Sequence, residues 1–98
     1  MNIRILPSAL DDLSEGSAFY EKQQRRLGAY FRDSLFADID SLVLYAEVHR
    51  QVHGAHRLLA RTFPFAIYYE ITGDTADVMA VLDCRRDPSR IKHQLKRP

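Results

Sequence analysis

Five arginines and a tyrosine in the second half of the chain hold the most legible chemistry: Arg57, Arg61, Arg85, Arg86, Arg90 and Tyr68. A guanidinium group stays charged and bonds phosphate or carboxylate oxygens two at a time, so several on one surface make a receptor for an anionic partner. Arg57 and Arg61 are four residues apart. On one strand they share a face, about 13 Å apart by strand rise. Arg85 and Arg86 are adjacent and point to opposite sides, so only one of them joins that face. The expectation is a basic trough of Arg57, Arg61 and one of Arg85 and Arg86, with Arg90 just beyond. Tyr68 belongs to the same outer face as Ala66 and Glu70, where a ring can stack on a base but more often covers the sheet or meets a partner protein. The competing expectation is that each arginine pairs with a carboxylate such as Glu70, Asp83 or Asp87 and is structural.

Other reactive side chains say less. His49 and His53 would share a helix face at i, i+4, but their spacing with His56 follows no metal-ligand signature. No metal and no cofactor is expected. Cys84 has arginines nearby that favour a thiolate, yet a buried or half-buried thiol at a strand end is the plainer expectation.

The elements that must position these groups can be read from period and punctuation. Phe65–Ile71 and Ala76–Leu82 both alternate, and a Gly-Asp turn joins them, so they form a β-hairpin. Phe65, Ile67, Tyr69 and Ile71 are assigned to one face, and Val78, Ala80 and Leu82 to one face of the second strand. His56–Phe63 is a third strand, separated from the hairpin by Pro64, which a ladder tolerates poorly. Asn2–Leu6 is a short strand stopped by Pro7.

Ser8-Ala9-Leu10-Asp11 fits a capping box at the start of a helix whose inner side is Leu10, Leu13, Ser17 and Tyr20. Asp11, Asp12 and Glu15 complement its dipole. Gly16 costs about 1 kcal/mol in mid-helix, so Gly16-Ser17-Ala18 is assigned to close approach of a second helix. Past Gly28, the stripe Phe31, Leu35, Ile39, Leu42, Val43 and Ala46 has helical period. Glu47–Ala55 is a loop. Asp87 caps a final basic helix with Pro88 in its first turn and Ile91 and Leu95 on its apolar side. The order β-α-α-β-β-β-α predicts an α+β domain: an antiparallel curved sheet with an N-terminal helical hairpin packed on one face.

Ninety-eight residues suffice for one domain, residues 1–98, with one modest core. No apolar run is long enough to cross a membrane, no signal-peptide core is present, and one cysteine makes no internal disulfide, which together point to the cytoplasm. The net charge of +1 conceals a division: residues 1–47 carry five basic and eight acidic side chains, and residues 48–98 carry nine and five. The basic half suits an acidic partner, nucleic acid or an acidic protein segment, and composition alone fits a solvated basic tail equally well.

Two stretches carry a family resemblance. Thr62-Phe63-Pro64-Phe65-Ala66-Ile67-Tyr68-Tyr69, followed by Val81-Leu82-Asp83-Cys84-Arg85-Arg86-Asp87-Pro88, resembles the paired strand motifs of the RelE/ParE superfamily of bacterial toxins. The likeness extends over nearly the whole chain in order and length. It implies the architecture just derived, the toxin role in a type II toxin–antitoxin pair (as in plasmid stabilisation), and a cognate antitoxin as partner. RelE-like members cleave messenger RNA on the ribosome; ParE-like members inhibit DNA gyrase. RNA cleavage needs a proton acceptor, a proton donor and a cation. Here no lysine lies between Lys22 and Lys92, no Phe, Tyr or Trp follows Tyr69, and Asp83 stands where many relatives place a histidine. The expectation is therefore a ParE-like toxin that inhibits growth by binding its target. A RelE-like RNA endonuclease and a non-toxic structural homologue are the alternatives.

Overall fold

A computed structural model of the chain describes residues 1–96. The elements are β1 (Asn2–Ile5), α1 (Pro7–Gln23), α2 (Leu27–Asp40), α3 (Leu42–Tyr45), β2 (Gln51–Val52), β3 (Ala55–Leu59), β4 (Phe65–Thr72), β5 (Thr75–Asp83) and α4 (Pro88–Leu95). The strands form one sheet in the order β1-β5-β4-β3-β2. The expected antiparallel meander is present, and β1 pairs parallel to β5, so the sheet is mixed. Two residues of the expected loop, Gln51 and Val52, form the small edge strand β2.

The helical hairpin packs as its small residues predict. A Cβ on Gly16 would lie 2.6 Å from the Phe31 ring, and one on Gly28 would lie 2.6 Å from the Ser17 carbonyl oxygen. Both glycines therefore let α1 and α2 approach closely, and Ser17 Oγ donates to the Gly28 carbonyl at 3.0 Å. Glu21 at the end of α1 accepts the backbone N–H groups of Arg26 and Gly28, both at 3.0 Å, and so holds the start of α2.

The hairpin and the inner sheet face enclose the main core, which includes Leu13, Tyr20, Phe31, Leu35, Ile39, Ile67, Tyr69 and Val78. Ser41 marks a break in the second helix, after which Val43 turns outward although Leu42 and Ala46 stay buried.

Two local expectations are corrected. The N-cap of α1 is Leu6, without a side-chain cap. Ser8 Oγ instead donates to the Met79 carbonyl at 2.6 Å, and one turn later Asp12 Oδ2 accepts the Val81 N–H at 2.9 Å. These bonds brace a β-bulge: Tyr68 pairs with Ala80 but Tyr69 with Val78, leaving Met79 as the extra residue. A bulge reverses the alternation beyond it. Val78 and Val81 therefore face the helical hairpin, and Ala80 and Leu82 face the other side.

Candidate functional site

The second side of the sheet is not open over its centre. It carries a smaller core of Ala55, Ala66, Tyr68, Ala80, Leu82 and Ile91, closed by α4. Asp87 caps α4 by accepting the Ser89 N–H at 3.1 Å, and Pro88 occupies the first turn, as expected. The apolar side of α4 requires an apolar seat, and Ala66, Ala80 and Leu82 supply it. Tyr68 is consequently covered, with 1% of its surface exposed, and does not offer a stacking face. Burial pushes its phenol up, opposed by a hydrogen bond and the charge of Arg57, its cross-strand neighbour. Cys84 lies just past the end of β5 and is exposed rather than buried or half-buried as expected; the desolvation that remains still raises its thiol, against the pull of Arg57 and Arg85, so this thiol is not activated.

The arginines differ in their partners, although Arg57 and Arg85 both act on Cys84. Arg57 lies on β3 beside Tyr68. Strand β3 ends at Leu59, so Arg61 falls in the following bend and the expected spacing along one strand does not apply. There the Arg61 N–H donates to Asp38 Oδ2 at 3.1 Å. Arg85 grips Asp83 with two bonds, Nε to Oδ1 at 2.9 Å and Nη2 to Oδ2 at 2.7 Å. That pair raises the guanidinium and holds the Asp83 carboxyl below the ordinary range. Arg86 Nη1 donates to Gln94 Oε1 at 2.8 Å, tying the end of β5 to α4. Arg90 is exposed on α4. Arg85 alone of the five makes an ion pair among the described residues.

A groove that the sequence did not announce lies beside β3. It has a volume of about 430 Å³ and is lined by Val48, His49, Arg50, Arg57, Leu58 and Leu59. Strand β2 covers only the first part of the β3 edge, and the Arg57 N–H bonds the Arg50 carbonyl at 3.0 Å. The Ala60 N–H points inward to Phe65 at 2.9 Å. By alternation, the Leu59 N–H and carbonyl face outward along an uncovered stretch of edge. Such an edge can take up an added strand. Val48 and Leu59, 71% and 53% exposed, give apolar contact, and Arg50 and Arg57 give positive charge.

The loop forming one wall of this groove is held by Tyr69. Its hydroxyl donates to the Ala46 carbonyl, and the His56 ring stacks on it with centroids 5.2 Å apart. His56 Nδ1 lies 2.8 Å from the His49 carbonyl, so that nitrogen carries the proton. These histidines fasten a loop, and His53 sits apart in the β2–β3 turn at positive φ. No group of three potential metal ligands occurs among the described residues. No helix among them is long and apolar enough to cross a membrane.

No protein-family model matches the sequence, and no curated protein matches it. The solved structure "Chromosomal ParDE TA system from P. aeruginosa", a toxin–antitoxin system, contains a chain that superposes with a TM-score of 0.74. The two are 15% identical, and the match covers 83% of this chain and 92% of that one. A helical hairpin on one sheet face, a three-strand meander, a parallel N-terminal strand and a terminal helix on the far face give this chain the fold of that ParDE-system chain.

Proposed function

We propose that the chain, acting as one domain in the cytoplasm, is the toxin of a type II toxin–antitoxin module of the ParE type. In this reading it inhibits growth by binding DNA gyrase, and a cognate antitoxin neutralises it. The observation that carries the proposal is the extent of the structural likeness to a chain of a ParDE system, which spans most of both molecules. The groove beside β3 supports an antitoxin partner, because an acidic-hydrophobic segment matches its open edge, apolar walls and two arginines. Binding is favoured over RNA cleavage by two placements. Tyr68 is sealed beneath α4, and Asp83, where many members of the resembled superfamily carry histidine, is engaged by Arg85.

Induced expression in a bacterial host tests the proposal. Growth arrest with filamentation and an SOS response is expected, and purified protein should inhibit gyrase supercoiling. Rescue is expected from a neighbouring small open reading frame encoding an acidic C-terminal segment. A rapid fall in translation with messenger cleavage would replace this reading by an RNA endonuclease. Normal growth with abundant folded protein would replace it by a non-toxic homologue.

A further inference from the structure

Strand β1 forms the far edge of the sheet, with β5 as its one neighbouring strand. The Asn2 N–H donates to the Asp74 carbonyl at 2.7 Å, and the Leu6 N–H to the Val78 carbonyl at 2.9 Å. In a parallel ladder alternate residues turn both backbone groups to the same side. Asn2, Arg4 and Leu6 therefore face β5, and Ile3 and Ile5 turn their N–H and carbonyl groups away from it. No described residue bonds those outward groups. Edges are ordinarily guarded by a charge, a proline, a bulge or shortness. β1 has no proline and no bulge, and of these guards its length of four residues remains. Its one charged side chain, Arg4, is tied to Asp77 on β5, Nε to Oδ1 at 2.8 Å and Nη2 to Oδ2 at 3.0 Å.

The pattern of the edge matches itself. Met1-Asn2-Ile3-Arg4-Ile5 has the same polarity read in either direction, apolar at Met1, Ile3 and Ile5 and polar between them. A two-fold axis asks a surface to be complementary to its own copy. With the axis at Ile3, antiparallel pairing sets Ile3 against Ile3, Met1 against Ile5 and Asn2 against Arg4 of the partner subunit. Ile3 then exchanges both of its outward bonds, and those of Ile5 reach Met1. The half-buried Met1, Ile3 and Ile5 side chains, which pack on the main core, continue as one apolar row across the axis. On the other face the charges agree. The Asn2 amide donates to Asp74 Oδ2 at 3.4 Å, so its amide oxygen is left to accept from Arg4 of the partner subunit, with the Asp74 carboxylate behind it. Arg4 has the donors to do so, because Asp77 takes only its Nε and one Nη2 bond. The neighbouring registers fit less well. Centring on Arg4 opposes two guanidinium groups, and centring on Ile5 opposes Ile3 to Pro7, which starts α1 and has no N–H.

We propose that the chain forms a two-fold dimer through β1, joining two five-stranded sheets into one continuous sheet with its axis at Ile3. The proposal is independent of the toxin assignment, since the purified chain alone reports on it. The test combines sedimentation equilibrium of the full chain with amide hydrogen exchange of ¹⁵N-labelled protein at low and high concentration. A reversible dimer is expected, with exchange at Ile3 and Ile5 slowing as the dimer fills and exchange at Leu59 on the β3 edge unchanged. Asn2→Arg sets like charges against Arg4 of the partner subunit twice per dimer, and should weaken association about fivefold at low salt and less at high salt. Asn2 is exposed, so the spectrum of this variant reports directly that the fold is kept. Ile3→Pro removes an outward N–H without removing a bond to β5, and should abolish the dimer. If Ile3→Pro disturbs the fold, Asn2→Arg carries the comparison alone. A chain that stays monomeric at millimolar concentration leaves the edge to a strand of another protein and overturns the proposal. A dimer that protects Leu59 in place of Ile3 and Ile5, or one that Asn2→Arg does not weaken, overturns it as well.

Discussion

Asp12 shows how much one side chain can settle. It is an acidic residue on a helix, unremarkable in sequence, yet it is buried and its carboxylate satisfies the Val81 N–H beyond the β5 bulge. Asp12→Ala leaves that donor unpaired and should cost about 1–3 kcal/mol, read as a lower urea midpoint. Asp12→Asn keeps an acceptor and should cost less. Glu21 and Asp83 contribute to the acid dependence of stability. The Glu21 carboxyl is held low by the N–H groups of Arg26 and Gly28, and the Asp83 carboxyl by Arg85. Both are lower folded than unfolded, so their stabilisation is complete above the ordinary carboxylate range and is lost as pH falls through the depressed values. Glu21→Gln should flatten part of that acid limb in urea melts collected across pH. The alkaline limit has the opposite sign. Burial pushes Tyr69 from 10.0 up to about 12, so the unfolded chain ionises first and stability declines between those values.

At the scale of elements, α4 depends on its seat. Eight residues are too few for a helix to persist alone in water, where about 12–15 are needed. Its order comes from Ile91 in the second core, the Asp87 cap and the Arg86–Gln94 bond. Ile91→Ala should lower stability by about 2 kcal/mol and accelerate hydrogen exchange in α4 well ahead of β4. Sequence conveyed the existence of α4, its cap and its two apolar residues, but not where they dock. Period identifies an apolar side without naming its counterpart. The same limit explains Tyr68, which alternation assigned to the outer face correctly, though alternation has no means of showing that a helix closes over it. The bulge at Met79 was invisible for another reason: Val78, Ala80 and Leu82 keep a strict period-2 pattern, and one added residue reverses which side each serves.

For the molecule as a whole, the hairpin, the meander and their order were legible because each rests on local patterning: alternating strands, a helical stripe, and glycines where two helices touch. The site was legible only in its residue types. The arginines were identified, but their grouping depended on Arg61 sharing a strand with Arg57, and β3 ends two residues short of it. The groove beside β3 combines residues from a loop and a strand and leaves no spacing signature. Its lining is basic, as the division between the two halves of the sequence anticipates.

The parallel pairing of β1 with β5 also sets a timetable. Asn2 lies opposite Thr75 and Ile5 opposite Val78, so β1 waits for β5, the last of the five described strands, to be made. At a synthesis rate of 5–20 residues per second, that interval is roughly 4–15 s. Throughout it the nascent chain can form its two long helices but cannot complete its sheet, and whatever activity the finished surface carries is withheld until β5 has been made.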